Sequence, residues 1–412
     1  MKATSPAAAS GPYIPPELHG RRRPMPLSRA DRSPVARWFS EVDRPLLAMI
    51  LTLMAIGILS VAVASPVGAE SLERKAGVEY PPLYYLWRQI FFVVSGIGFL
   101  IFFAMRSKVE IRRVAMVCTG LGVIGLVLVL VPGLGSESGG SYRWLGSGWY
   151  RVQPSEFLKP MFAVAVGWIL SCRVEDERLP VFWLTAGLTA LIALLLMLET
   201  DFGQTVLYVC TWLVLVFVAG LPMRLFGWIG GIGAIFAAVT YFTYETARRR
   251  IDAFLFGSGD QHQVDKAYDT LTNSGLIGSG PFTGTAKWDL PEAHTDYIFS
   301  VIGEEFGLIA CAAILFLYFT LIVRVIQRLR EERDQFVILA GTGLIALFAG
   351  QVIINIAVNL HIAPSKGMTL PFISYGGSSV WALSIAMGLL LALTRRNPYR
   401  APPVNLSAWD PR

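Results

Sequence analysis

Ten apolar runs, each near the length of a membrane-crossing helix, dominate this chain. They fall at 45–65, 85–104, 114–132, 157–172, 181–198, 204–220, 226–245, 296–321, 335–358 and 379–394. A helix needs ~20 residues to cross ~30 Å of hydrocarbon. Backbone in lipid must close its own hydrogen bonds, so the runs predict helices. The expected fold is all-α: a polytopic membrane protein of about ten transmembrane helices. Composition agrees, with 54% hydrophobic and 16% charged residues, where a soluble domain carries about 25% charge.

An even number of spans puts both termini on one side. Lys and Arg decide which. With the N-terminus inside, about 23 basic residues lie in inner segments and about 11 in outer loops. Both ends are therefore cytoplasmic. The net charge of +6 follows from this topology signal and not from nucleic-acid binding. Residues 1–44 are rich in Pro, Arg and Ser, lack the apolar core of a signal peptide and are expected to be a disordered basic tail. Residues 45–396 form the membrane domain, and 397–412 a short cytoplasmic tail. Cys118, Cys172, Cys210 and Cys311 fall within or at the ends of apolar runs, without a CxxC pair.

Polar chemistry concentrates outside, in loops 133–156, 246–295 and 359–378. Long loops are more often functional than filler. Arg248, Arg249 and Arg250 break the positive-inside trend. They read either as a headgroup anchor or as a phosphate site, and Arg143, Arg151 and Lys366 on the same side raise the second reading. Asp296 opens a long apolar run. It could be a helix N-terminal acid, or Thr295 the cap. Glu304 and Glu305 on the same run are ionisable groups at membrane depth, which are functional candidates. A carboxylate at the water–lipid boundary also suits general-base work. Glu156 and Lys159 share a helix face, either as a self-neutralising pair or as a charged cavity wall. Glu199-Thr-Asp-Phe-Gly-Gln204 reads as a tight outer turn. Gly303 and Gly307 have the GxxxG spacing of close helix packing. Gly376-Gly377-Ser378-Ser379 reads as a turn or a weak anion nest. No Walker A or zinc spacing is present, and no internal repeat supports an inverted-repeat transporter.

Five motifs together resemble one family. They are Gly140-Ser-Tyr-Arg-Trp-Leu145, Gln153-Pro-Ser-Glu-Phe-Leu-Lys159, Glu199-Thr-Asp-Phe-Gly-Gln204, the stretch Leu290-Pro-Glu-Ala-His-Thr-Asp296 continuing to Gly307, and Pro364-Ser-Lys-Gly-Met-Thr-Leu-Pro-Phe-Ile-Ser-Tyr-Gly-Gly-Ser-Ser379. In this order they resemble the SEDS proteins (shape, elongation, division and sporulation) over residues 40–396. The division branch (FtsW) is closer than the elongation branch (RodA). The resemblance implies a peptidoglycan glycosyltransferase that polymerises lipid II at the outer face of the inner membrane. It puts the family's essential Asp on Asp296. Arg143, Trp144, Gln153, Ser155, Glu156, Lys159, Arg248, Arg249, Arg250, His294, Thr295, Glu305, Lys366, Ser374 and Tyr375 are then the candidate substrate-binding residues. The Gly-rich stretch 274–284 departs from the family at Pro281 and receives no ligand contact.

The implied partners are lipid II, membrane lipids, a class B penicillin-binding protein (the transpeptidase FtsI), the FtsQLB complex and FtsN, at the division septum. No cofactor is expected beyond a divalent Mg or Mn ion travelling with the diphosphate. The rival readings are a lipid II flippase, for which Arg88, Glu304 and Glu305 would line a path, and a non-catalytic scaffold.

Overall fold

The computed structural model describes residues 34–138, 141–146, 151–174, 176, 178–220, 227, 230, 231, 233, 241, 242, 248, 252, 262–273, 275–364 and 367–395. The expected seventh span (226–245) and the tail 397–412 lie outside the described residues, apart from isolated positions of that span. The chain divides into an N-terminal unit ending at Glu41 and the remainder. In the first unit, Pro34–Glu41 is a helix, α1. The expected disordered tail is therefore too long by this helix. Pro34 starts it with a preset φ, and no Gly or Pro follows to break it.

The second unit places nine membrane-length or slightly shorter helices on nine of the ten apolar runs. These are α2 (Arg44–Ala76), α3 (Tyr84–Ala104), α4 (Lys108–Val129), α5 (Pro154–Ser171), α6 (Val181–Leu198), α7 (Phe202–Val218), α9 (Ile298–Arg330), α10 (Gln335–Asn359) and α11 (Gly377–Leu393). The amphipathic helix α8 (His262–Thr272) lies in the large outer loop. A small antiparallel hairpin, β1 (Gly135–Ser138) and β2 (Ser141–Leu145), rises between α4 and α5.

Capping residues fix the helix ends. Asp43 accepts from Leu46 N at 3.2 Å to start α2, and Ser107 and Glu110 form a capping box on α4. Asp43 also takes Arg324 at 3.1 Å and Arg328, tying α2 to the inner end of α9. On the same side Lys108 joins α4 to Asp334 of α10 at 2.9 Å. Helix α5 is the hub of the bundle, with 14 of its 18 residues buried. Helix association in lipid relies on close packing, and Gly167 of α5 supplies it: a Cβ there would lie 2.7 Å from the Ala340 nitrogen of α10.

Two irregularities shape the outer side. The first is a break in α9. Gly307 adopts φ 83°, ψ 172°, open to glycine alone at low cost. The loop 275–280 inserts there. Ser279 and Gly280 donate to the carbonyls of Glu304 and Glu305 at 2.8 and 3.0 Å, and Leu308 and Ile309 donate to those of Gly275 and Leu276 at 3.2 Å. A Cβ on Gly307 would meet the Leu276 oxygen at 2.3 Å. The GxxxG spacing thus admits a loop at Gly307, where helix packing was expected.

The second irregularity precedes α11, which has only 17 residues. The segment 367–376 enters the bundle as non-helical backbone, with Leu370–Ser374 buried. The Phe372 carbonyl lies against Gly57 in the middle of α2, where a Cβ would approach it to 2.1 Å. Irregular backbone at membrane depth must be satisfied by protein. Here Asn355 donates to the carbonyl of Met368 (2.6 Å), Gln351 to Thr369 (3.0 Å), Tyr318 to Pro371 (2.6 Å) and Gln89 to Ser374 (3.4 Å).

Candidate active site

The turn 291–297 leads into α9 and carries Asp296. Glu292 opens it at φ 56°, a conformation costly for a residue with a Cβ. Three successive carbonyls of this turn are then stapled. That of His294 accepts from Tyr375 N (2.9 Å) and that of Thr295 from Ser374 Oγ (2.5 Å). The Asp296 carbonyl accepts from Asn355 Nδ2 (2.8 Å) and Asn359 Nδ2 (3.1 Å). Asn359 is oriented in turn by Ser300 Oγ at 2.8 Å, and both asparagines are buried. The His294 ring packs on Tyr85, centroids 4.0 Å apart, and 5.6 Å from Tyr375. Burial holds this imidazole neutral, its pKa lowered to about 4.

These carbonyls are held while the Asp296 carboxylate accepts no hydrogen bond from a described residue. Neither Asp296 nor Thr295 caps α9: Thr295 Oγ donates back to the Glu292 carbonyl at 3.1 Å, and the α9 cap position, Tyr297, makes no side-chain cap bond. Asp296 is half-buried. Gly367 faces it so closely that a Cβ would stand 3.5 Å from Oδ2. Burial, then the charges of Glu292 and Asp201, push its pKa up to about 7, with Arg143 pulling the other way. A carboxyl so poised can accept a proton near neutral pH.

Arg143, from β2, donates to the Thr200 carbonyl at 2.6 Å and lies 3.9 Å from Asp201. Gln153 donates to Asp201 at 3.4 Å. Trp144 stacks with Arg151, whose guanidinium lies 5.6 Å from the ring centroid. Below them, Lys159 donates to Glu156 (2.8 Å) and Gln351 (3.1 Å), and Gln204 donates to Glu156 (2.7 Å). The Glu156–Lys159 pair is thus both self-neutralising and a cavity wall. With Gln351 it forms the polar side of a small cavity of about 20 Å³ between α5, α10 and α11, whose remaining wall is mostly apolar. Ser155 is fully buried and its carbonyl takes Tyr208 OH at 2.8 Å.

Other expected site residues are placed elsewhere. Glu305 is buried and ion-paired with Lys287, itself 1% exposed. Its neighbour Glu304 accepts from the backbone N–H groups of Ala286 (2.7 Å) and Lys287 (2.9 Å), capping a short 3-10 turn. Both glutamates hold the outer loop to α9, Glu305 through Oε1 and Lys287. Arg248 is exposed beside Asp252 at 3.4 Å. Arg249, Arg250 and Lys366 lie outside the described residues. The residues not anticipated are Lys287, Asn355 and Asn359, with Gln351. The three amides recur at four-residue intervals in an apolar run, a pattern on one helix face that the sequence does display.

The whole membrane portion, residues 44–399, matches the family model for FtsW, RodA and SpoVE, described as cell cycle protein. The chain belongs to this family. It is 35% identical over 375 residues to a probable peptidoglycan glycosyltransferase FtsW of Caulobacter vibrioides, covering 90% of this chain and 94% of that one. A counterpart with the same description in Hahella chejuensis is 32% identical over 371 residues, covering 85% and 90%. Among solved structures, a chain of a peptidoglycan synthase complex, studied for how it coordinates polymerization and crosslinking, matches with TM-score 0.70 and 27% identity, over 86% of this chain and 97% of that chain. The rod shape determining protein RodA of Thermus thermophilus matches with TM-score 0.63 and 26% identity, over 86% and 96%. The FtsW/RodA/SpoVE membership and this fold agree with the expected all-α polytopic bundle.

Proposed function

We infer that this chain is a peptidoglycan glycosyltransferase that polymerises lipid II at the outer face of the inner membrane, during septal wall synthesis. The observation that carries this reading is the Asp296 carboxylate: half-buried, held by its own carbonyl and without a hydrogen-bond donor among the described residues. Asp296 accepts the proton from the 4-hydroxyl of the acceptor GlcNAc. That oxygen attacks C1 of the donor MurNAc, and the lipid diphosphate leaves from the opposite face. The leaving group supplies the driving energy, which suits a chain without a nucleotide motif. Arg143, with Lys366 and Arg248–Arg250 from the outer loops, neutralises the diphosphate. The lipid tail stays in the bilayer, in an apolar groove between spans. Among the described residues no group of three or more His, Cys, Asp or Glu side chains could hold a metal ion. A Mg or Mn ion would enter as a companion of the diphosphate. The proposed partners are a class B penicillin-binding protein, the FtsQLB complex and FtsN.

The decisive assay gives purified protein lipid II in detergent, with and without its cognate transpeptidase. Glycan chains are expected, and their absence under both conditions overturns the reading. A flippase would also need a charged path across the membrane. The charges considered for one are spent on the outer side: Glu304 and Glu305 fix the loop, and Arg88 lies 5.5 to 5.9 Å from the ring centroids of Tyr84, Phe92 and Tyr375.

The base works only when ionised. Polymerisation should therefore rise with pH through about 7 and level off above it, falling about tenfold per unit on the acid side. A rate flat from pH 5 to 8 contradicts the assignment. The asparagine staple makes a further prediction. Asn355→Ala removes one of two donors from the Asp296 carbonyl and the donor to the Met368 carbonyl, and turnover should drop roughly 10–100-fold, since small misplacements of a reacting group have effects of this order. Unchanged turnover would reduce the staple to simple packing.

A further inference from the structure

The turn between α6 and α7 contains more than a connection requires. Asp201 is buried, and one of its oxygens, Oδ1, caps α7 by accepting from Gln204 N at 3.3 Å. For that task Asn, Ser or Thr would serve as well. A buried negative charge is costly unless a cation or hydrogen bonds answer it, so capping does not account for an acid here. The second oxygen, Oδ2, does: it faces the hairpin, 3.9 Å from Arg143 Nε and 3.4 Å from Gln153 Nε2. Thr200 contributes next to it. Its φ of 60° is strained for a β-branched residue, and its carbonyl accepts from Arg143 Nη2 at 2.6 Å. Strain of this kind gathers at functional sites. Glu199, one residue earlier, is buried with neither carboxyl oxygen hydrogen-bonded. Burial and the Asp201 charge push its pKa up to about 8; burial also raises that of Asp201, against the pull of Arg143 and the Gln204 N–H.

We propose that Asp201 is a positioning residue, which together with the Thr200 carbonyl holds the Arg143 guanidinium where it meets the diphosphate of the sugar donor. An arginine side chain on the outer hairpin would otherwise sample many rotamers. Fixed on one side by a carboxylate and a carbonyl, it keeps its remaining N–H groups for the substrate. This assignment rests on the polymerase reading above for its substrate, but the clamp itself is a matter of geometry.

The test is a double-mutant cycle with Asp201→Asn, which keeps a capping oxygen and removes the charge, and Arg143→Gln. Asp201→Asn is expected to lower lipid II polymerisation about tenfold in the wild-type background and less than twofold when Arg143 is already Gln. An equal loss in both backgrounds would show that Asp201 merely supports the turn and would overturn the proposal. A second readout is independent of turnover. Modification of Arg143 by phenylglyoxal, followed by peptide mass mapping, should be several-fold faster in Asp201→Asn than in wild type, and equal rates would overturn the clamp. If the wild-type protein makes no glycan, the polymerase reading fails by itself while the modification rates still decide the clamp.

Discussion

Asp296→Asn abolishes glycan synthesis from lipid II while the membrane bundle stays folded. The substitution is isosteric, and the groups that fix this position act on the backbone: Asn355 and Asn359 hold its carbonyl, Ser374 and Tyr375 the two carbonyls before it. None of them senses whether the side chain is an acid or an amide. What is lost is the proton acceptor, worth about 10²–10⁴-fold in rate, and with it any detectable chain growth in a gel assay. Stability should move the other way. The folded site raises this carboxyl from its ordinary value of 3.8 to about 7, which means that the fold disfavours the ionised form. Relative to the unfolded chain, the wild-type protein therefore loses stability as pH rises from about 4 to about 7. The Asn variant has no such loss. Thermal unfolding in detergent should show it more stable than wild type at pH 8 and equal to it near pH 4. Full polymerisation by Asp296→Asn would end the general-base assignment, and a variant less stable at pH 8 would show that the carboxylate is not a disfavoured charge.

Some of this site was legible in the sequence because its causes are local. A run of apolar residues is a helix in lipid whatever surrounds it, so nine spans fall on the expected positions, and the basic residues orient them. Asp296 could be singled out as an ionisable group at the boundary of a span, and Glu156 with Lys159 by their three-residue spacing, which the structure turns into a 2.8 Å pair. What stayed hidden has its partner far along the chain. Lys287 reads as an ordinary loop lysine, and only the insertion of the loop into the α9 break brings it to Glu305. Gly303 and Gly307 carry the same spacing that packs two helices, and nothing local says that at Gly307 a loop takes the second helix's place. The segment 367–376 looks like an outer loop because it has Pro, Gly and Ser. Its descent into the bundle is set by donors at Gln89, Tyr318, Gln351 and Asn355, none within twelve residues of the carbonyl it serves. The amides on α10 were visible as a polar stripe in an apolar helix, and that stripe marks where a second backbone comes close.

Lys287→Met destabilises the outer half of the protein more than any loss of a surface charge could. Lys287 is 1% exposed, and Glu305 has no exposed side-chain surface; Lys287 Nζ also reaches the Val63 carbonyl at 3.4 Å. Removing one partner of such a pair leaves an uncompensated buried charge, at a cost of about 3–5 kcal/mol. The damage is directed at the site. The turn 286–289 is held to α9 by this pair and by Glu304, and the chain runs from that turn straight into 290–296. Loosening it lets Asp296 drift while its own carbonyl staple pulls back, so turnover should fall along with the melting temperature. The double substitution Lys287→Met with Glu305→Leu removes both charges, and apolar replacement of a whole buried pair is often neutral or stabilising. It should recover most of the stability lost in the single variant and part of the activity. Equal melting temperatures for the single and double variants would mean that the lysine acts through its bulk, and that the charge of Glu305 is answered by some other group.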